Sequence, residues 1–239
     1  MRQRYTDPAF MIKDVERLKA VRDSGLLDSA AEEAFDRLTR LATRITGAPI
    51  SFFSVVDEDH DFFKSCFGAP EPVATARKVT GRSFCHFSLM GTDPLVVSDA
   101  RADDRFNGLP SVVGLGVVAY LGIPLHLSNG HALGSFCVVD LVPRDWDGGH
   151  IEILTEFAYS TLREVELRIA RSEERAAKDR IAAQMRDPLT AMHLHADLVE
   201  DARELDEAKR HVRKMRDGLE RIEASVVRVL GVGDPAEKG

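Results

Sequence analysis

The sequence predicts an α+β fold in which strand hairpins are enclosed by helices and the last third of the chain is helical only. Short runs rich in β-branched and aromatic residues occur between residues 50 and 141, separated by turn-forming residues. Apolar residues recur at helical spacing before and after these runs. Beyond Arg171 no strand signal remains. Each element is predicted from one of these patterns.

Two helices are predicted before the first strand. Ser29 followed by Glu32 predicts a capping box at the start of the stronger helix, and Gly47 predicts its end. Its apolar positions recur at steps of three and four, at Phe35, Leu38, Leu41, Ala42 and Ile45. A weaker helix is expected from about Ile12 to Ser24, with an apolar side formed by Val15, Leu18 and Val21.

The strand region begins at Ala48. ISFFSVV and DFFKSCF, separated by the polar residues 57–60, predict a first hairpin, and PLVVSD at 94–99 predicts a further short strand. Residues 83–90 fit one or two turns of helix. VVAYLGIPLHL and HALGSFCVVDL, joined by Ser128-Asn129-Gly130, predict a second hairpin, since Asn-Gly readily adopts the positive φ angles of a tight turn. Both of its strands are apolar on both faces, which is typical of central strands.

The C-terminal part predicts a helical hairpin. One helix is expected from about Asp147 to Asp201, a turn at 204–206 and a second helix from Glu207 to Leu230. The second helix carries an apolar seam formed by Val212, Met215, Leu219, Ile222, Val226 and Val229. Two helices would leave this stripe exposed, so a homodimeric four-helix bundle through the C-terminal helices is expected.

Composition excludes several classes of function. The chain of 239 residues has a net charge of -7, which disfavours a broad electrostatic contact with nucleic acid or an anionic membrane. No apolar run is long and uninterrupted enough for a signal peptide or a membrane span, so we expect a cytoplasmic protein. Three cysteines without CxxC spacing disfavour a disulfide framework and a structural zinc site.

Four phrases occur in order along the chain: LLDSAAEEAFDRLTRLATRITGAPISFFSVVDEDHDFFKS, SFCHFSL, PLVVSDARADDRF and LGSFCVVD. Together they resemble the GAF domain found at the front of bacterial sensor kinases. The resemblance implies a six-stranded antiparallel sheet flanked by helices, with a pocket on one face that holds a small ligand in some relatives. Strand alternation together with this resemblance makes the following residues candidates to line the pocket: Phe52, Ser54, Cys85, Asp99, Tyr120, Gly122 and Cys137. No cofactor is expected, and the identity of any small ligand stays open.

A second phrase resembles the dimerisation and phosphotransfer (HisKA-like) hairpin of histidine kinases. AQMRDPLTA aligns with the His-Glu-Leu-Arg-x-Pro-Leu-Thr-Ala signature, so Ala183 takes the place of the phosphoacceptor histidine and Gln184 that of its acidic neighbour. A methyl group cannot accept a phosphoryl group. Pro188 inside a helix costs roughly 3 kcal/mol, which favours inheritance from that hairpin over chance. Only nine residues follow Leu230, and no Walker-type glycine loop occurs, so autophosphorylation is not expected.

The domain organisation that follows has four parts: an N-terminal tail at 1–11, the GAF domain with its exit helix at 12–170, the HisKA-like hairpin at 171–230 and a disordered tail at 231–239. Whether the chain is part of a longer kinase stays open. The resemblances imply a non-enzymatic, dimeric pseudo-kinase with a GAF sensor, which binds a response-regulator receiver domain or a histidine kinase. The expected partner surface is formed by Arg186, Asp187, Pro188, Thr190 and His193.

The alternative is a ligand-, redox- or light-responsive GAF sensor whose hairpin serves only for dimerisation. Cys85-His86 superficially resembles a bilin attachment pair, and His86 or His126 could serve as a heme ligand. Cys85 and Cys137 could form a redox pair if the short helix lies over the sheet, or serve reduction of methionine sulfoxide, although their spacing is not that of a dedicated redox motif. His193, His195 and His211 are expected on a solvated helix surface, and His60, His131 and His150 show no metal-ligand spacing.

Overall fold

The computed structural model describes residues 9–200 and 204–230. The chain divides into two compact units, Met1–Ile169 and Ala170–Gly239. The helices are α1 (Ala9–Ile12), α2 (Val15–Asp23), α3 (Glu33–Thr46), α4 (Val73–Ala76), α5 (Phe84–Ser88), α6 (Pro110–Val113), α7 (Gly148–Glu200) and α8 (Leu205–Leu230). The strands are β1 (Ile50–Val56), β2 (His60–Phe67), β3 (Lys78–Thr80), β4 (Leu95–Val97), β5 (Ala119–His126) and β6 (Ala132–Asp140).

The six strands form one antiparallel sheet in the order β3-β2-β1-β6-β5-β4. Both predicted hairpins are confirmed, β1 with β2 and β5 with β6, and Gly130 has a φ of 86° in the turn of the second. The strand predicted at 94–99 is β4, at one edge of the sheet. Strand β3 and the short helices α4 and α6 carry too few residues for a periodic pattern, and the sequence did not predict them individually.

The two faces of the sheet bury different sets of side chains because strand residues alternate between faces. Phe53, Val55 and Phe136 pack with α2, α3 and the first turns of α7 in the larger core. Ile50, Cys137 and Tyr120 lie on the opposite face and pack with α5 and the loops around it. The sheet therefore separates a helical layer from the face that contains the cavity described below.

The N-terminal helices differ from the prediction in two places. The predicted tail at 1–11 is described only from residue 9, where α1 begins, and the side chain of Asp14 caps α2 by accepting from the backbone of Arg17. Val15, predicted on the apolar side, is 71% exposed, because this cap makes it the first residue of the helix and not part of its buried stripe. The predicted tail at 231–239 lies outside the described residues.

The capping box predicted at Ser29 and Glu32 does not form. Helix α3 begins at Glu33, and Glu32 occupies the cap position without a side-chain cap bond. Lys64 on β2 is fully buried and draws both side chains to itself, at 2.7 Å from Ser29 Oγ and 2.6 Å from Glu32 Oε1. Leaving a buried ammonium without oxygen partners would cost more free energy than leaving the helix end without a cap. Both side chains therefore bind Lys64. The end predicted at Gly47 is confirmed, since Gly47 has a φ of 69°.

The second unit contains the last part of α7 and the whole of α8. Pro188 lies inside α7, which continues on both sides of it, and α8 begins at Leu205, slightly earlier than predicted. Met215, Ile222 and Val226 of the predicted seam are buried or half-buried. Two other seam residues, Val212 and Leu219, are 54% and 46% exposed, because a helix packed against a single neighbour buries only one side of such a stripe.

The histidines of this second unit correct another prediction. His195 and His211 were expected on a solvated surface, but their Nδ1 atoms lie 3.1 Å apart between α7 and α8. His193, two residues from His195, is exposed, as its different direction on the helix requires. The pairing arises because residues 195 and 211 face each other across the hairpin, which the sequence pattern of one helix alone does not reveal.

Candidate functional site

A cavity of about 70 Å³ lies between the second face of the sheet and the segment that carries α4, α5 and α6. It is partly open and its walls are predominantly apolar, with room for several water molecules or one small organic molecule. Its lining is formed by Ile50, Phe52, Asp61, Phe63, Pro70, Val73, Val79, Ser83, Phe84, Cys85, Ser111, Leu115, Val117, Tyr120, Cys137 and Val139.

Tyr120 forms part of the floor of this cavity. Its ring stacks on Phe84 with 4.7 Å between ring centres, and its hydroxyl lies 3.2 Å from Ser135 Oγ and 3.3 Å from Ser88 Oγ. The tyrosine lies across Gly122 on the same strand, where an added Cβ would be 2.2 Å from its hydroxyl oxygen. Gly122 therefore provides the space in which the Tyr120 ring lies. Burial is the main cause that raises the pKa of Tyr120 well above its ordinary value.

A polar cluster forms one wall. Asp61 on β2 is fully buried, accepts a hydrogen bond from the hydroxyl of Ser83, and lies 2.9 Å from Nε2 of His86. Ser83 is the N-cap residue of α5. Its side chain accepts from the backbone of Cys85, and its backbone N–H donates to Nδ1 of His86. Burial alone would lower the pKa of His86, but the Asp61 carboxylate outweighs burial and the pKa is raised. The cluster fixes the first turn of α5 to the sheet.

Two thiols face the cavity from opposite sides. Cys85 belongs to α5 and Cys137 to β6, and both are buried and free. The interaction with Cys137 lowers the pKa of Cys85 below its ordinary value, with help from Ser135 and Ser54, although burial opposes this. Burial and the interaction with Cys85 raise the pKa of Cys137. Cys85 is therefore the thiol that ionises more readily.

The structure brings most of the predicted pocket residues together. Phe52, Cys85, Tyr120 and Cys137 line the cavity. Ser54 and Gly122 are not among the lining residues: Ser54 affects the pKa of Cys85, and Gly122 lies against the Tyr120 side chain. Asp99 lies outside it: its carboxylate caps a short 3-10 helix and pairs with Arg101 at the surface, because the chain leaves β4 before that residue.

Asp61 and Ser83 belong to the site but were not predicted. A carboxylate directly before two phenylalanines of a predicted strand was a usable signal for Asp61, since a buried carboxylate needs partners. The serine immediately before the predicted short helix was a usable signal for a cap. Their convergence on one another could not be read from the sequence, since 22 residues separate them.

The next question is whether the described residues offer ligands for heme or for a metal ion. His86 and His126, the donors considered for heme, are not among the lining residues. The His86 ring is held by Asp61 and Ser83, on the side of α5 that faces β2. Within residues 9–200 and 204–230, no group of three or more His, Cys, Asp or Glu side chains is arranged to hold a metal ion.

The second candidate surface lies on α7 in the second unit. Ala183 and Gln184, in the place of the phosphoacceptor and its neighbour, are both exposed. Four of the residues predicted for partner binding are exposed as well, namely Arg186, Asp187, Thr190 and His193. Pro188 is half-buried, and its carbonyl oxygen faces Gly218 of α8, where an added Cβ would lie 3.8 Å away. Within the part of the chain that the structure describes, no helix is apolar and long enough to cross a membrane.

An antiparallel sheet with helices on one face and a small cavity on the other is the arrangement that the resemblance to the GAF domain implied. The family model described as GAF domain matches residues 30–161, more than half of the chain. The chain therefore belongs to the GAF domain family, and the fold expected from the first resemblance is confirmed. The HisKA-like hairpin stays a prediction.

One curated relative is a Pseudomonas aeruginosa protein named cyclic di-GMP phosphodiesterase, 32% identical over 138 residues. The match covers 57% of this chain and 23% of that protein, so this chain spans about a quarter of the relative's length.

Solved structures with a similar fold include a domain assigned to a two-component sensor histidine kinase of Sinorhizobium meliloti. It is 19% identical with a TM-score of 0.49, and the match covers 62% of this chain and 99% of that one. The GAF domain of an Acinetobacter phosphoenolpyruvate-protein phosphotransferase is 14% identical with a TM-score of 0.48, covering 67% and 94%.

Proposed function

We propose that the chain is a non-catalytic, dimeric signalling regulator, in which a GAF sensor domain controls a pseudo-kinase hairpin that binds two-component partners. The observation that carries the proposal is the exposed Ala183 at the place where the hairpin signature requires a phosphoacceptor histidine. The side chain on the equivalent surface of a working kinase must bind and release a phosphoryl group. An alanine there keeps the shape of the surface and removes its chemistry.

The exposed polar residues next to Ala183 support a binding role. Arg186, Asp187, Thr190 and His193 are presented to solvent, and the Thr190 hydroxyl donates to the carbonyl of Arg186 within the helix. A receiver domain or a histidine kinase is the partner that a hairpin of this type would recognise. A change in the GAF domain would reach this surface along α7.

Exposed apolar residues on α8 support dimerisation. Leu205, Val212 and Leu219 follow one another at seven-residue spacing and are 71%, 54% and 46% exposed. A repeat of seven is the spacing at which one helix packs against another along its length. The second copy of the chain is the partner that carries the same stripe, and two copies would cover it in a four-helix bundle.

Phosphotransfer assays test the inactive hairpin. The purified chain is incubated with radiolabelled ATP and Mg²⁺, alone and with an active histidine kinase. We expect no label on the chain, since Ala183 has no acceptor atom. An acid-labile, base-stable label on wild type, lost in His193→Gln or His195→Gln, would overturn the proposal.

Light scattering tests the dimer. We expect twice the chain mass at micromolar concentration and the mass of one chain after Val212→Glu with Leu219→Glu. The matched control is Val113→Glu, which places the same charge at a valine that is 75% exposed on the first unit. Monomeric wild type would contradict the proposal.

The cavity favours one alternative, a ligand- or light-responsive GAF sensor whose hairpin only dimerises. Its apolar walls and its partly open position suit a small molecule. The absorbance spectrum of the purified protein separates the two, because a bound bilin, heme or flavin is coloured. Partner binding that is insensitive to Arg186→Glu and Asp187→Lys would also favour this alternative.

A further inference from the structure

The cavity contains a pair of thiols to which the proposed function assigns no role. Cys85 reaches it from α5 and Cys137 from β6, 5% and 1% exposed. Both thiols line the same cavity beside Tyr120, and each affects the pKa of the other. The third cysteine, Cys66, lies on β2, outside the cavity lining, and is half-buried. The chain thus contains one thiol pair and one separate thiol.

Hydroxyl groups lie near the Cys85 thiol and favour its ionisation, whereas burial and the nearby Asp61 carboxylate oppose it. The Cys85 Sγ lies 3.9 Å from the hydroxyl of Tyr120, and Ser54 and Ser135 also interact with it. Ser54 Oγ is buried and has no hydrogen-bond partner among the described residues, so its hydroxyl is available to a negative charge at Cys85. Hydroxyl donors stabilise a thiolate, which is the nucleophilic form of cysteine. Cys137 is held in its protonated form by burial.

We propose that Cys85 and Cys137 are a peroxide-oxidised pair that forms a disulfide across the cavity. The Cys85 thiolate attacks one oxygen of hydrogen peroxide, the O–O bond breaks, and the products are a Cys85 sulfenic acid and hydroxide, which takes up a proton to become water. Cys137 sulfur then attacks the Cys85 sulfur, and the leaving hydroxide takes the Cys137 proton to give a second water. Two thiols are oxidised and one peroxide is reduced.

The cavity has room for hydrogen peroxide, since its volume is about 70 Å³ and it is partly open. The new bond would join α5 to β6 directly, at the point where Ser83 and Asp61 already hold the first turn of α5. The inference rests on the proposed sensor function for its meaning, and it deepens that function by naming the stimulus.

The test uses the full chain, reduced and then treated with hydrogen peroxide in small excess. Free thiols are blocked with N-ethylmaleimide, and intact and peptide masses are measured. We expect a Cys85–Cys137 linked peptide and one blocked thiol in wild type, the same linked peptide in Cys66→Ser, and reversal by dithiothreitol. In Cys137→Ser, dimedone should label a sulfenic acid at Cys85, whereas Cys85→Ser should give no label at Cys137.

Two results would overturn the inference. One is a folded wild type that keeps three free thiols under peroxide, and the other is a disulfide that involves Cys66. The wild-type peptide map decides even where a variant fails to fold. The assay is independent of the phosphotransfer and light-scattering tests. An absent disulfide would overturn the thiol pair but not the proposed regulator function, and a phosphorylated histidine would overturn the regulator function but not the thiol pair.

Discussion

The buried Lys64 makes the strongest prediction about stability. Its Nζ donates to Ser29 Oγ at 2.7 Å, Ala30 O at 2.5 Å and Glu32 Oε1 at 2.6 Å, and its side chain is fully buried. Arg168 on α7 donates to the same Glu32 oxygen, so one carboxylate connects β2 and the exit helix. Within the described residues, Glu32 is the only carboxylate that pairs with Lys64, and Glu32→Gln removes its charge.

The size of the effect follows from the exposure of the carboxylate. Breaking a fully buried ion pair costs about 3–5 kcal/mol, because the remaining charge is left unpaired. The Glu32 side chain is 35% exposed, so solvent screens part of its charge, and Lys64 keeps its bonds to Ser29 and Ala30. We therefore expect Glu32→Gln to lower the free energy of unfolding by about 2 kcal/mol. This corresponds to roughly 4–8 °C in Tm.

The pH dependence supplies a second readout. Burial by itself would raise the pKa of Glu32, but Lys64 and Arg168 outweigh it and hold the pKa below the ordinary 4.5. A lowered pKa contributes stability that is present above pH 4.5 and is lost as the pH falls through the pKa of the folded state. Glu32→Gln should remove this part of the acid sensitivity.

Urea unfolding followed by tryptophan fluorescence is the assay. Trp146 is the only tryptophan of the sequence, is buried and donates to Val97 O, so its emission reports the GAF domain. The control is Glu33→Gln, whose side chain is 74% exposed and whose pair with Arg40 should contribute less than about 1 kcal/mol. Equal unfolding midpoints for the two variants would refute the role of Glu32 at the buried lysine.

The remaining predictions concern the cavity wall. Gly122→Ala would place a methyl group 2.2 Å from the Tyr120 hydroxyl oxygen, so we expect a loss of about 1–3 kcal/mol in urea unfolding. Gly108→Ala, with nothing within 4 Å, should change little, and equal losses would contradict the packing argument. The raised pKa of His86 contributes stability that is present below pH 6.5 and is lost as the pH rises through the folded pKa. His86→Gln should therefore flatten the decrease in urea midpoint between acidic and alkaline buffer, and His131→Gln should not.

Much of the fold could be predicted because it depends on local patterns. Strands β1, β2, β5 and β6 have runs of β-branched and aromatic residues, and Asn129-Gly130 fixes the turn of one hairpin. The order of strands within the sheet joins distant segments and was not predicted, since the resemblance implied only a six-stranded antiparallel sheet. Strand β3 has only three residues and pairs with β2 at the edge, so its own sequence carries no signal.

Three of the predicted residues that line the cavity lie on the sheet, and the fourth, Cys85, lies on the predicted short helix. Phe52, Tyr120 and Cys137 face the cavity because alternation along a strand assigns each residue to a face. Asp99 was misplaced because the alternation was continued past the end of β4, where Asp99 turns to cap a 3-10 helix.

The sequence by itself determined most of the helices and strands, which strand residues share a face, and that residue 183 of this chain has no phosphoacceptor side chain. Those properties depend on neighbours a few residues away, where backbone geometry and side-chain chemistry act directly. Only the tertiary structure decided that Glu32 pairs with Lys64 instead of capping a helix, and that Cys85 and Cys137 line the same cavity. Such choices depend on which distant groups are buried together, because burial sets the cost of an unpaired charge or an ionised thiol.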